Sequence, residues 1–125
     1  MIVLNRSEWR IMDQIWTASP ATVRQIHEHL ETATGWSYST VKTLMARLVE
    51  KGVLTVERRG AANYFAPTAS REEARQSALA ELLDQAFNGA VPGLVQHLLR
   101  RRQLKPGELE QLRRLLAENE SHQED

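Results

Sequence analysis

Cysteine is absent from this chain of 125 residues. That removes disulfides, thiol nucleophiles and thiolate metal sites together, and it fits a reducing cytoplasm, the expected location. No run of about 18 apolar residues occurs, so no membrane insertion is expected. The first residues also lack the basic-then-apolar order of a secretion signal. Net charge is missing too, since 16 Lys and Arg offset 16 Asp and Glu. A balanced chain argues neither for nor against nucleic acid, so local clustering has to decide. Catalytic signatures are wanting: there is no nucleophile motif, no glycine-rich phosphate loop and no carboxylate pair in an apolar setting. An enzyme is not expected. Nor is a metal or other cofactor, because His27 and His29 stand two apart on a helix and do not face each other. His97 and His122 have no ligand partners nearby in sequence.

What is present is enough for a core. Hydrophobic residues make up 42% of the chain, which at this length fits one globular domain or one domain with a short appendage. Asn5-Arg6-Ser7-Glu8 announces a first helix, since Asn5 can cap it and Glu8 can return a bond to the cap. Trp9, Met12, Ile15 and Trp16 follow at helical spacing until Ser19-Pro20 breaks the run. A second start comes at Thr22, with Gln25 in the reciprocal position and an apolar stripe of Val23, Ile26 and Leu30. His27 falls on that stripe and reads as a packed histidine, and Trp9, Trp16 and Trp36 read as core.

The stretch GWSYSTVKTLMARLVEKGVL, Gly35 to Leu54, holds the third helix. Ser37 is its expected N-cap, and Val41, Leu44, Met45, Leu48 and Val49 repeat at the spacing of a buried face. Gly52 stops it in a left-handed conformation that a β-carbon would penalise. Two short strands are expected next, about Leu54–Glu57 and Asn63–Ala66, around a tip at Arg58-Arg59-Gly60-Ala61. Ser70-Arg71-Glu72-Glu73 opens a long Ala- and Leu-rich helix that Gly89 closes. Pro92 and Pro106 suit the starts of two more, carrying Leu94, Val95, Leu98 and Leu99, then Leu109, Leu112, Leu115 and Leu116. The expected fold class is mainly α with a small β-hairpin. Three helices and a hairpin over residues 1–69 are the order of a winged helix-turn-helix DNA-binding domain; residues 70–118 are expected to form a helical dimerisation region, and 119–125 a polar tail. The Leu stripes of 70–118 exceed what one small copy can bury, which points to a homodimer.

The third helix has a second face. At about 100° per residue, Ser39, Lys42, Thr43, Ala46 and Glu50 fall opposite the core, with Thr40 and Arg47 at the flank. A DNA major groove admits a helix; Lys and Arg donate to guanine edges or phosphates, Ser and Thr to either, and Ala46 can meet a thymine methyl. Arg58 and Arg59 at the hairpin tip are placed to reach the phosphate backbone beside the groove. Residues 1–69 carry eight Lys and Arg against six Asp and Glu, a small excess in the same direction. The basic run from Arg100 to Lys105 reads as a solvated helix end whose cations suit the helix dipole.

EWRIMDQIW, the Gly35–Leu54 stretch and the closing YFAP together resemble the penicillinase-repressor family, which includes β-lactamase, methicillin-resistance and copper-transport repressors. The likeness runs over nearly the whole chain, through the Leu-rich C-terminal part, and the Trp-Ser-x-x-Thr-x-x-Thr-Leu-x-x-Arg-Leu pattern from Trp36 to Leu48 is specific for a motif of its length. The resemblance implies a homodimeric repressor on a palindromic double-stranded DNA operator, controlling β-lactamase or other resistance genes. It implies base and phosphate contacts at Ser37, Ser39, Thr40, Lys42, Thr43, Ala46 and Arg47, with wing contacts near Arg58 and Arg59. Two departures stand out. Without cysteine, the copper repressors' metal motif is excluded. The antibiotic-responsive members are cut at an Asn-Phe bond by a membrane-embedded metalloprotease sensor, and the matching pair here is His97-Leu98. Two other readings stay open at this point: a winged-helix regulator gated by a small ligand, and a winged-helix module used for protein contacts.

Overall fold

The computed structural model describes residues 2–101 and 104–123, with side chains described through residue 120. Arg102 and Gln103 of the basic run, and the His122 side chain, lie outside the described residues. The elements in chain order are α1 Arg6–Thr17, α2 Val23–Thr34, α3 Tyr38–Glu50, β1 Leu54–Arg59, β2 Ala62–Pro67, α4 Arg71–Phe87, α5 Val91–Arg100 and α6 Glu108–Gln123. They fall into two compact units divided between Glu81 and Leu82.

Local chemistry starts the first three helices where expected. The Glu8 N–H donates to Asn5 Oδ1 at 2.9 Å and the Asn5 N–H donates to Glu8 Oε1 at 2.9 Å, a complete capping box. Thr22 and Gln25 repeat the arrangement at 3.2 and 2.9 Å. The Thr40 N–H donates to Ser37 Oγ at 3.2 Å and so begins α3. Ile11, Met12 and Ile15 of α1, Val23, Ile26 and Leu30 of α2, and Val41, Leu44, Met45 and Leu48 of α3 converge in one core. Trp16 and Trp36 pack against that core rather than within it, and Trp9 leans on Trp16 with ring centroids 5.8 Å apart. The indole N–H is the reason for Trp16's place at the edge: it needs a partner, and donates to the Ala69 carbonyl at 2.9 Å.

The hairpin is longer than the sequence suggests. Arg58 and Arg59 belong to β1, opposite Asn63 and Ala62, and the tip shrinks to Gly60-Ala61. Gly60 supplies φ +63° at the first turn position, as a two-residue type II′ connection requires. Arg58 and Arg59 extend the strand because both are exposed and give up no burial by pairing. The hairpin is also tied to the helices. Ala21, just before α2, exchanges both backbone bonds with Phe65, at 3.0 and 2.8 Å. That bridge and the buried Leu54 and Phe65 fix the hairpin beside α2 and α3.

The first unit takes in the opening turns of α4. The Ser70 hydroxyl accepts the Glu73 N–H at 3.0 Å, while the Glu73 carboxylate accepts the Ser70 hydroxyl at 3.3 Å. Ala74 is fully buried, and Arg71 lies over the Trp16 ring and pairs with Asp13 at 3.6 Å. The second unit is built differently. None of its described residues is buried. Pro92 occupies the first turn of α5, but α6 starts at Glu108, two residues after Pro106, because Gly107 takes a left-handed φ of +89° first. The helix then runs on to Gln123, into the segment expected to be a tail. That segment is polar, but from Glu118 to Gln123 it contains no Gly or Pro to stop a helix. Among the described residues no helix is long and apolar enough to cross a membrane.

Candidate nucleic-acid interface

With Val41, Leu44, Met45 and Leu48 held in the core, the opposite side of α3 is forced outward. Ser37, Ser39, Thr40, Lys42, Thr43, Ala46, Arg47 and Glu50 are all exposed, as the periodicity requires. The first three hydroxyls form a cluster, Ser37 Oγ lying 3.1 Å from Ser39 Oγ and 3.0 Å from Thr40 Oγ1. Ser37 Oγ, which also accepts the Thr40 N–H, is thereby filled, while the Ser39 and Thr40 hydroxyls keep capacity for a further partner.

The cations divide into two kinds. Among the described residues, Lys42, Arg47 and Arg58 make no ion pair or side-chain hydrogen bond. Arg59, by contrast, pairs with Glu57 at 3.1 Å and lies over the Tyr64 ring at 5.5 Å. The strand register explains the split. Arg58 shares a face with Val56 and Phe65, whereas Arg59, Glu57 and Tyr64 share the other. Of the two wing arginines, Arg58 is therefore the one with its charge uncommitted.

Between the start of α2, one flank of α3 and the hairpin lies an open cleft of about 880 Å³. Lys42, Ala46 and Val49 line it from α3, Arg24 and Gln25 from α2, and Val56, Asn63 and Phe65 from the hairpin. Thr43 and Arg47 are not part of it. The outward side of α3 thus has a cleft flank and a far flank, a division that requires the hairpin's position. Tyr38, Arg24 and Asn63 join the surface although sequence reasoning passed over them. Tyr38 had a signal, standing four residues before Lys42 on the same side of the helix.

The histidines are engaged separately. His27 Nε2 donates to the Trp36 carbonyl at 3.1 Å, and His29 Nδ1 donates to the Gln25 carbonyl at 2.6 Å. In the second unit, His97 is exposed and Leu98 half-buried, both within α5. The His97 ring meets Phe87 edge-on at 6.4 Å.

Comparison with known proteins agrees with this architecture. The chain is 34% identical over 116 residues to the transcriptional regulator BlaI of Mycobacterium tuberculosis, covering 91% of this chain and 83% of that one. It is 23% identical over 122 residues to the penicillinase repressor of Bacillus licheniformis, covering 98% and 95%. Its fold resembles the solution structure of the monomeric form of Bacillus licheniformis BlaI in complex with the blaP half-operator. The TM-score is 0.51 at 24% identity, over 58% of this chain and 88% of that one. Residues 4–118 match the family described as penicillinase repressor. With nearly the whole chain covered and the winged helix in place, this protein belongs to the penicillinase repressor family.

Proposed function

We propose that the chain is a transcriptional repressor that binds a double-stranded DNA operator as a homodimer. Ser39, Lys42, Thr43 and Ala46 face base edges in the major groove, with Ser37, Thr40 and Arg47 at the border between bases and backbone. Arg58, and Arg59 to a lesser degree, reach phosphates beside that groove. The observation that carries the reading is the set of uncommitted cations. Lys42, Arg47 and Arg58 are exposed without a neutralising partner among the described residues, on the outward side of α3 and on the hairpin beside it. Family membership supports the same role, which is regulatory rather than enzymatic.

The division of labour follows the elements: residues 1–69 read DNA, and 70–118 assemble the dimer from the cytoplasmic pool. The second unit supports this. Leu82, Leu99, Leu115 and Leu116 are among the large apolar side chains it leaves exposed, and it has no buried described residue to call a core. A second copy would cover them. Release from DNA is assigned to cutting between His97 and Leu98 by a membrane-embedded metalloprotease sensor. A protease needs an extended chain, and α5 buries no residue that would resist its local opening. The test is a fluorescence-anisotropy titration of the full chain against a duplex selected from random sequence and against an unrelated duplex, at several salt concentrations. Sequence-selective binding that weakens steeply with salt is expected; equal affinity for both duplexes would overturn the proposal.

A further inference from the structure

We propose that Tyr38 is an uncharged phosphate contact of the reading helix, with His27 as the residue that positions it. This deepens the DNA-binding reading and rests on it.

Tyr38 opens α3 and lines the cleft together with Lys42, one turn further on. It is 48% exposed, and its phenolic oxygen has no hydrogen-bond partner among the described residues. Exposure alone is ordinary for tyrosine. Fixation is not. The His27 ring meets the Tyr38 ring at 6.0 Å and 80°, an edge-to-face arrangement. His27 is itself held, because its Nε2 donates to the Trp36 carbonyl at 3.1 Å, and Trp36 packs on the core. A chain of contacts therefore runs from the core to a ring whose hydroxyl is free.

The position selects the ligand. Successive residues turn by about 100° around a helix, so Tyr38 stands well away from Ser39, which lies near the middle of the outward face. It looks toward the groove wall, where the sugar–phosphate backbone runs, rather than toward base edges. The start of α3 also carries unsatisfied N–H groups and the positive end of the helix dipole, both favourable to an anion. Lys42 lines the same cleft and adds an unpaired positive charge, whereas Arg24 there is paired with Glu28 at 3.2 Å. A phenol donating to a phosphate oxygen is the interaction all of these features accommodate, and tyrosine is a common donor to DNA backbones.

The experiment uses the full chain and the duplex it selects from random sequence. Tyr38→Phe keeps the ring and its packing on His27 and removes only the donor. Its affinity should fall roughly tenfold, as for a lost hydrogen bond to a charged group. The fall should be equal on operator and unrelated duplex, and the salt slope should not change, since a phenol displaces no counterion. Single methylphosphonate substitutions along the operator then locate the contact. At one backbone position the unaltered chain should lose affinity where Tyr38→Phe loses nothing further. His27→Ala should become insensitive at that same position, which a general loss of stability would not produce. Full affinity in Tyr38→Phe, a loss confined to one base pair, or identical methylphosphonate profiles for both proteins would each overturn the assignment. Failure of the unaltered chain to prefer any duplex overturns the DNA-binding reading as well, and so is told apart from a failure at Tyr38.

Discussion

Lys51 and Glu8 allow a stringent test of how α3 is held. Glu8 is 1% exposed, and its Oε1 accepts both the Asn5 N–H at 2.9 Å and Lys51 Nζ at 2.6 Å. Its Oε2 is buried and makes no hydrogen bond among the described residues. Lys51 caps the end of α3 and also donates to the Val3 carbonyl at 3.1 Å, so it pins that end to the start of α1. Lys51→Met keeps the aliphatic stem but strands a carboxylate in the core. Removing one partner of a buried pair costs about 3–5 kcal/mol. The Lys51 side chain is 42% exposed, so water replaces part of what is lost and about 2 kcal/mol is the better figure. For a unit of this size that lowers the melting temperature by roughly 10 °C. Glu8→Gln should cost only about 1 kcal/mol, since glutamine still serves the capping box and leaves no buried charge. Adding Lys51→Met to Glu8→Gln should then cost little more, a coupling of about 1–2 kcal/mol. Trp9, Trp16 and Trp36 all lie in the first unit, so tryptophan fluorescence during urea unfolding, at fixed protein concentration, isolates its transition. If Lys51→Met proves no more costly than Glu8→Gln, or the two costs simply add, the account of Glu8 as a charge held by Lys51 is refuted.

Other expectations concern DNA and assembly. Arg47→Ala should weaken operator binding by about 1–3 kcal/mol. Arg58→Ala should weaken all duplexes alike and reduce the salt slope by about 1. Salt-series gel shifts check both, and unchanged affinity in the two variants would exclude the proposed interface. A fragment of residues 1–81 should fold and sediment as a monomer with much weaker operator binding, because it keeps Ala74 and the Ala69 partner of Trp16 but loses the exposed Leu faces. A dimeric fragment that binds as tightly as the full chain would move the interface elsewhere. Intact-mass spectrometry of the protein from β-lactam-treated cells should reveal a break after residue 97; persistence of the full-length chain alone while target genes switch on would exclude cleavage.

What could be read from the sequence was what depends on neighbours within one or two helical turns. Asn5 with Glu8, Thr22 with Gln25, and the cap at Ser37 are bonds spanning three residues, and each is in place. The core face of α3 followed from its period at Val41, Leu44, Met45 and Leu48, while Val49, expected with them, is half-buried and lines the cleft. Interactions between distant parts were invisible. Glu8 read as a capping residue, and nothing local revealed that Lys51, 43 residues on, would bury it as an ion pair. The Ala21–Phe65 bridge and the clasp of Arg71 on Trp16 are equally remote in sequence. The hairpin length was misjudged because two adjacent arginines look like a loop, although an exposed strand end tolerates them. The outward residues of α3 were correctly named exposed, but only the placed hairpin divides them into flanks and brings Tyr38 to a cleft.

The two units are also stabilised in different ways, and this bears on how repression ends. The first has a closed core, and that packing holds the outward face of α3 in place. The second has no buried described residue, and in the proposed dimer a second copy would cover its exposed Leu side chains. In the proposed dimer, one reading head raises the effective concentration of the other at the neighbouring half-site, and tight binding depends on that linkage. Each Leu withdrawn from the shared interface removes about 1.5–3 kcal/mol from dimer stability. On that proposal, a signal acting on α5 or α6 would lower operator occupancy by orders of magnitude without any change in α3. Loss of repression through the second unit would leave the weak affinity of a single head for a half-site unchanged. A change in α3 itself would alter that affinity and the sequence preference together.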